Sequence, residues 1–303
     1  MLCSGCVRGP GRAGGARMRR PLLLLCFLAA VPVQCLANRI VIDEAGRSVT
    51  VPDHAHRVIC LTPSNTDSVF ALGAANDVVA VSDYVNYPAE AMKKPSVGSI
   101  SNPSMERILS LHPDLILGMP NLNDQAALQQ LQRLGIPVYL TDPHGIAGIL
   151  HSVSDLGHAV GRDPEAAAVV ARLQQRIDAV RAAVKGKPVV SVFMPVSYDP
   201  VLTIGRGSFL TDIIEVAGGH SITDDLQEEW PRISMEAVIA RAPQALLMMR
   251  GGMISPDILK TRPGWDVLPA VRAGRVYFVD KRVNFPSPVA IDALEDLAKQ
   301  FHP

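Results

Sequence analysis

Two stretches of the chain carry the same order of apolar and polar positions. Residues 104–117 read SMERILSLHPDLIL and residues 234–247 read SMEAVIARAPQALL. Each opens with Ser, Met and Glu, reads as a short helix, meets a proline at its tenth place and continues as an apolar run. The residue before a proline is pushed out of the α region, so each helix ends ahead of Pro113 or Pro243. The run that follows suits a strand covered on both faces. A helix–proline–strand unit recurring once per half predicts two similar α/β lobes. It also places one glutamate, Glu106 or Glu236, in the first helical turn on each lobe. An acid there complements the helix dipole, for about 0.3–1 kcal/mol. That accounts for either copy but not for the recurrence of the triplet.

The rest of the pattern fits the same plan. Residues 40–51 alternate and turn at Ala45-Gly46, which predicts a β-hairpin. Residues 57–62 read as a buried strand. A helix follows, capped by Ser64 or Asn65 and closed by Gly73. Further strands are predicted at 78–82 and 136–142, with a helix over 125–134 stopped by Gly135. Strand alternating with helix favours a parallel sheet. Residues 146–184 hold little turn signal beyond Gly161 and Asp163-Pro164. Asp163 suits an N-cap and Pro164 the first helical position. The Ala-rich segment after them predicts a helix of about 21 residues, roughly 30 Å long. Beyond it, strands are expected over 188–195 and 274–280 and helices over 209–217 and 290–301. The segments 196–208, 220–233 and 249–257 read as loops.

These elements divide the chain into an N-terminal α/β lobe at 38–158, a connecting helix at 159–186 and a C-terminal α/β lobe at 187–303. The expected fold is two Rossmann-like lobes with parallel sheets, bridged by a single long helix. The 303 residues and a 48% hydrophobic, 19% charged composition suit two lobes of ordinary size.

Charge changes the picture at the N-terminus. The net charge is +0, but residues 1–37 hold five arginines and no acid. With those five set aside from the 29 Lys and Arg, 24 basic residues face 29 acidic ones, a net of −5. That argues against a nucleic-acid partner, which requires a basic face. Arg19 and Arg20 followed by PLLLLCFLAAV read as a signal peptide cleaved after Ala37, with Met18 as an alternative start. A lipid anchor at Cys35 is disfavoured by Val33 and Gln34. The expected mature chain is periplasmic and monomeric, and begins at Asn38. It keeps Cys60 alone of the five cysteines, as a small buried hydrophobe.

Catalytic signatures are absent: there is no G-x-S-x-G, no phosphate-binding loop, no dinucleotide glycine triad and no H-E-x-x-H. His144, His151 and His158 recur every seven residues, a spacing that suits a solvated helix face better than a zinc site. No metal site and no cofactor are expected. Open α/β sheets bind ligands outside the carboxyl ends of their strands. The loops expected there carry Tyr84, Tyr87, Met119, Asn121, Tyr198, Arg206, Trp230 and Arg250. Together these suit a cleft for a flat or apolar ligand, although a Trp can equally plug a loop onto its own lobe.

Five blocks fall in order: RVICLTPSNTDSVFALGA, VSDYVNYPAEA, NPSMERILSLHPDLIL, DIIEVAGGHSI and EEWPRISMEAVIARAPQALL. As a set they resemble the periplasmic binding proteins for iron chelates and vitamin B12, the substrate-binding subunits of ABC importers. The resemblance covers residues 38–303. It implies a class III binding fold that is not an enzyme. Such a protein captures a metal chelate (a corrinoid, haem or ferric siderophore) and delivers it to an inner-membrane permease. It implies that Glu106 and Glu236 dock on that permease and that Tyr84 and Trp230 contact ligand. Ile100 and Met119 stand where vitamin B12-binding relatives carry tryptophan. The competing readings are an exported α/β enzyme with an unrecognised site and a zinc- or manganese-binding transport protein.

Overall fold

A computed structural model describes residues 38–251 and 254–303. The expected signal peptide, its cleavage point at Ala37 and Cys35 lie outside the described residues. The described residues open with an antiparallel hairpin, β1 (Asn38–Ile42) and β2 (Ser48–Pro52). The first lobe then runs β3 (Val58–Cys60), α1 (Pro63–Ala71), β4 (Val78–Val81), α2 (Met105–Ser110), β5 (Leu115–Gly118), α3 (Gln125–Arg133) and β6 (Val138–Leu140). Two helices follow, α4 (Gly145–Val160) and α5 (Asp163–Val184). The second lobe comprises β7 (Val190–Phe193), the hairpin β8 (Pro195–Tyr198) and β9 (Val201–Thr203), α6 (Phe209–Val216), β10 (Gly219–Ser221), α7 (Met235–Arg241) and β11 (Ala245–Arg250). It ends with α8 (Ile258–Thr261), α9 (Pro269–Arg272), β12 (Val276–Asp280) and α10 (Asp292–Phe301), with 3-10 turns at Lys281–Asn284 and Pro288–Ile291. Among the described residues no helix is long and apolar enough to cross a membrane.

The two lobes repeat one topology. Their four-stranded parallel sheets have the orders β4-β3-β5-β6 and β10-β7-β11-β12. In each, the first strand of the lobe lies between the second and third. The repeated sequence unit supplies the same element to both, α2–β5 in one and α7–β11 in the other. Ser104 and Ser234 cap the two helices by accepting from the backbone N–H groups of Arg107 and Ala237. Ile108 and Val238 anchor them, both fully buried. The residues ahead of the two prolines, His112 (φ 44°) and Ala242 (φ 46°), leave the α region as expected, but into the left-handed region rather than toward extended backbone.

Several local expectations are corrected. Thr62, not Ser64 or Asn65, caps α1, because Pro63 takes the first helical position and the cap is the residue just ahead of it. Asp163 begins α5 instead of capping it, and its carboxylate accepts from His158 Nδ1 at 2.8 Å. The segment 196–208 is not all loop: β8 and β9 turn at Asp199-Pro200. Gly219–Ser221, expected as a helix end running into a loop, is an edge strand, and its Gly-His-Ser carries no apolar run.

The connecting helix spans Asp163–Val184, inside the expected 159–186, and is about 33 Å long at 1.5 Å per residue. It buries one stripe: Ala166, Val169, Leu173, Ile177 and Val180. Arg162, just ahead of it, donates to Asp77 of the first lobe at 3.0 Å. Arg176, in its middle, holds Asp292 and Glu295 of α10 at 2.8 and 2.9 Å. The turn between α4 and α5 needs glycine. Gly161 has φ +79°, and a Cβ there would lie 2.2 Å from the Asp53 carbonyl oxygen. At its other end α4 is tied to the second lobe, because Asp212 of α6 accepts from Ile146 N at 2.9 Å. Each sheet packs an outer core of its own, Ile59, Ile116 and Leu131 in one and Phe193, Leu246 and Trp265 in the other. The inner faces share one continuous core that runs through α4, α5, α6 and α10.

Candidate functional site

In this strand order the chain reverses direction between the first and third strands, which opens a crevice beyond their carboxyl ends. The loops there are held by buried side-chain amides. Asn65 donates to the Gly118 carbonyl at 3.2 Å and accepts from Thr141 Oγ1 at 2.7 Å. Asn123 accepts from Met119 N at 2.8 Å and donates to the Ile100 carbonyl at 2.8 Å. Leaving such groups unpaired would cost about 1–3 kcal/mol each, so the loops after β3, β5 and β6 keep one arrangement.

A cavity of ≈ 450 Å³ lies between the lobes, within the range of small-molecule sites. The first lobe contributes Tyr84 and Asn86, which follow β4. The second contributes residues at the ends of three strands: Pro195 and Val196 after β7, Met249, Gly251 and Ile254 around the end of β11, and Lys281, Asn284 and Phe285 after β12. Its walls are mainly apolar. Lys281 is the one ionisable group among those lining residues other than the Tyr84 phenol.

The lobes also meet through residues that do not line the cavity. Asp67 of α1, 6% exposed, accepts from Ser287 Oγ of the second lobe at 3.0 Å. Burial pushes the Asp67 carboxyl up to about 7, and Asp292 pushes the same way, while the Ser287 hydroxyl and Arg282 pull it back.

Of the eight side chains expected in the cleft loops, Tyr84 lines this cavity and is 61% exposed. Trp230 lies in a separate hollow on the second lobe with Leu202, Leu226 and Pro231. Backbone bonding fixes it there: Thr203 N donates to the Pro231 carbonyl at 3.0 Å, and Gly205 N to the Glu229 carbonyl at 3.0 Å. Met119 is buried, its sulfur accepting from Ser64 Oγ at 3.1 Å. Tyr198 carries the Arg262 guanidinium 4.8 Å from its ring centre. Arg206 donates to the Asp224 carbonyl at 3.0 Å. Arg250 stacks on Phe278 at 5.2 Å. Asn121 donates to Asp142 at 3.4 Å, and Tyr87 lies beneath Arg282 at 5.3 Å. The cavity lining also includes Asn86, Met249, Lys281, Asn284 and Phe285, which no motif in the sequence marks. Their signal was position, since all lie in or just beyond segments expected at the carboxyl ends of strands.

Glu106 and Glu236 are both exposed. His144, His151 and His158 each pair with an aspartate, Asp142, Asp155 and Asp163 respectively, and do not converge. Among the described residues one trio, Glu215, His220 and Asp224, brings donor atoms within 4.8 Å of one another. It lies around the end of α6, outside the interlobe cavity.

A profile of the family described as periplasmic binding protein matches residues 58–283. The chain belongs to that family. It is 32% identical to a vitamin B12-binding protein of Yersinia pestis over 201 residues, covering 66% of this chain and 72% of the relative. It is 29% identical over 271 residues to an ABC transporter substrate-binding lipoprotein of Bacillus subtilis, covering 86% of this chain and 84% of the relative. The fold superposes on the periplasmic heme-binding protein RhuT from Roseiflexus with a TM-score of 0.75 at 27% identity, covering 82% of this chain and 98% of the other.

Proposed function

We propose that this periplasmic binding protein is the substrate-binding subunit of an ABC importer. It holds a metal chelate in the interlobe cavity and passes it to an inner-membrane permease. The observation that carries this is the cavity itself, formed by both lobes at the carboxyl ends of two sheets of identical topology. The neighbours bind vitamin B12 and haem by name, and both are large metal chelates with broad apolar faces. Tyr84 and Phe285 supply aromatic contact area from opposite lobes, so the ligand bridges them. Trp230, Tyr198, Arg206, Arg250 and Met119 act outside the cavity wall. The lining residues hold a ligand rather than pair a nucleophile with a base, as suits a carrier and not an enzyme. The protein acts as an exported monomer, and Glu106 and Glu236 are its contacts with the permease.

The test is an absorbance titration with cobalamins, haemin and ferric siderophores. Ligand absorbance is the better readout because neither Trp230 nor Trp265 lines the cavity. Aromatic contacts are worth about 0.5–1.5 kcal/mol beyond area burial, so Tyr84→Ala and Phe285→Ala should each weaken binding roughly tenfold. Trp230→Ala should leave affinity unchanged. The opposite pattern, Trp230 essential and the other two silent, would move the site to the second-lobe hollow.

A further inference from the structure

The cavity wall has a charge that the proposed function does not use. Three cations lie in or beside its lining segments along the chain, Arg250, Lys281 and Arg282, and of these Lys281 lines the cavity. Arg250 is stacked on Phe278. Arg282 lies over Tyr87 at 5.3 Å and donates to Asp280 Oδ1 at 3.1 Å. Lys281 differs. Its carbon stem runs along Gly251, where a Cβ would lie 3.5 Å from Lys281 Cδ, and no carboxylate among the described residues forms an ion pair with its ammonium. Asp280, the adjacent acid, gives its Oδ1 to the backbone N–H and guanidinium of Arg282, which with Lys281 holds its carboxyl below the usual range, and it is not among the lining residues. The other polar groups of the wall, the amides of Asn86 and Asn284 and the Tyr84 phenol, are neutral. The described wall therefore carries one positive charge and no negative one.

Building on the proposed function, we infer that Lys281 selects the charge of the ligand, and that the ligand is a chelate bearing an acidic group, a carboxylate or catecholate, at its edge. The apolar wall takes the face of such a molecule, and the ammonium takes its acid. A cationic chelate would meet Lys281 with no counter-charge on the wall. A neutral one would bind through the apolar contacts alone. Lysine does this as a compact point charge on a flexible stem, so arginine should substitute for it.

Haemin and haemin dimethyl ester share one ring and differ in ionised carboxylates. A ferric tricatecholate and a neutral ferric trihydroxamate make a second pair. Wild type, Lys281→Met, Lys281→Arg and Phe285→Ala are titrated with all four. Wild type should prefer the acidic member of each pair that binds, by roughly three- to tenfold, the range of a partly exposed charge-assisted contact. Lys281→Met should abolish the preference while leaving ester affinity unchanged, and Lys281→Arg should retain it. If Phe285→Ala weakens acid and ester alike but Lys281→Met leaves their ratio intact, the charge inference fails and the cavity reading stands. If Phe285→Ala changes neither, the ligand lies elsewhere. Binding of none of the four to wild type overturns the charge inference, and binding of no cobalamin either overturns the cavity reading with it.

Discussion

Asp67 and Ser287 lie 220 positions apart in sequence and meet as one buried hydrogen bond between the lobes. The carboxyl has moved from its ordinary 3.8 to about 7, chiefly because burial disfavours its charged form. Arg282 and Asp292 oppose each other across it, and Arg172, Arg176 and Glu90 line the hollow it faces. Between about pH 4 and 7 the folded chain keeps a proton there that the unfolded chain has lost. Stability from this group is therefore greatest at low pH, falls as pH rises through that window and levels off above it. Asp67→Asn keeps a partner for Ser287 but cannot ionise. Its melting temperature should fall less than that of wild type between about pH 5 and 8. With each kcal/mol worth about 2–4 °C in a chain of this size, the two should diverge by several degrees. Parallel melting curves would assign the pH dependence to other groups.

At the scale of elements, α2 and α7 are the same device used twice. Each is capped by the serine of the repeat, anchored by one buried aliphatic residue and ended by a left-handed residue ahead of a proline. Both expose their glutamate. A dipole role alone requires only that the two helices lose a little stability when those acids are removed. A docking role predicts more. Truncating one partner of a desolvated interfacial charge pair costs about 2–5 kcal/mol. Glu106→Ala with Glu236→Ala should then bind the importer in liposomes at least tenfold more weakly, with unchanged affinity for soluble ligand. Wild-type association by the double mutant would leave the acids with the helix dipole alone.

For the whole molecule, the continuous inner core and the ties of α4 and α5 to both lobes oppose a hinge. Hinges need residues at loops or element ends that absorb φ/ψ change. Here the connection is an unbroken 22-residue helix, stapled through Arg176 to α10. Ligand should bind with little movement of the lobes. The radius of gyration measured by small-angle scattering should stay the same within error when saturating chelate is added. A clear decrease would show a hinge that the core does not resist.

Much of this molecule can be read along the chain. The duplicated SME unit, the apolar runs and the Ala-rich segment after Pro164 report local physics: helical spacing, strand burial and the backbone limits of proline and glycine. They sufficed for the two α/β lobes, the connecting helix, the burial of Cys60 and the exposure of Glu106 and Glu236. What they could not report was convergence. Trp230 and Arg250 look like binding residues because they are aromatic or charged in loops, yet backbone bonding to β9 and stacking on Phe278 keep them off the cavity wall. Lys281 and Phe285 look unremarkable, and Asp67 looks like one more polar residue at a helix start. Their roles arise where the second lobe meets the first, through contacts between positions up to 220 apart. Such contacts leave no periodic trace in the sequence, because burial, orientation and the pKa of a carboxyl are set by whichever distant segment packs against it.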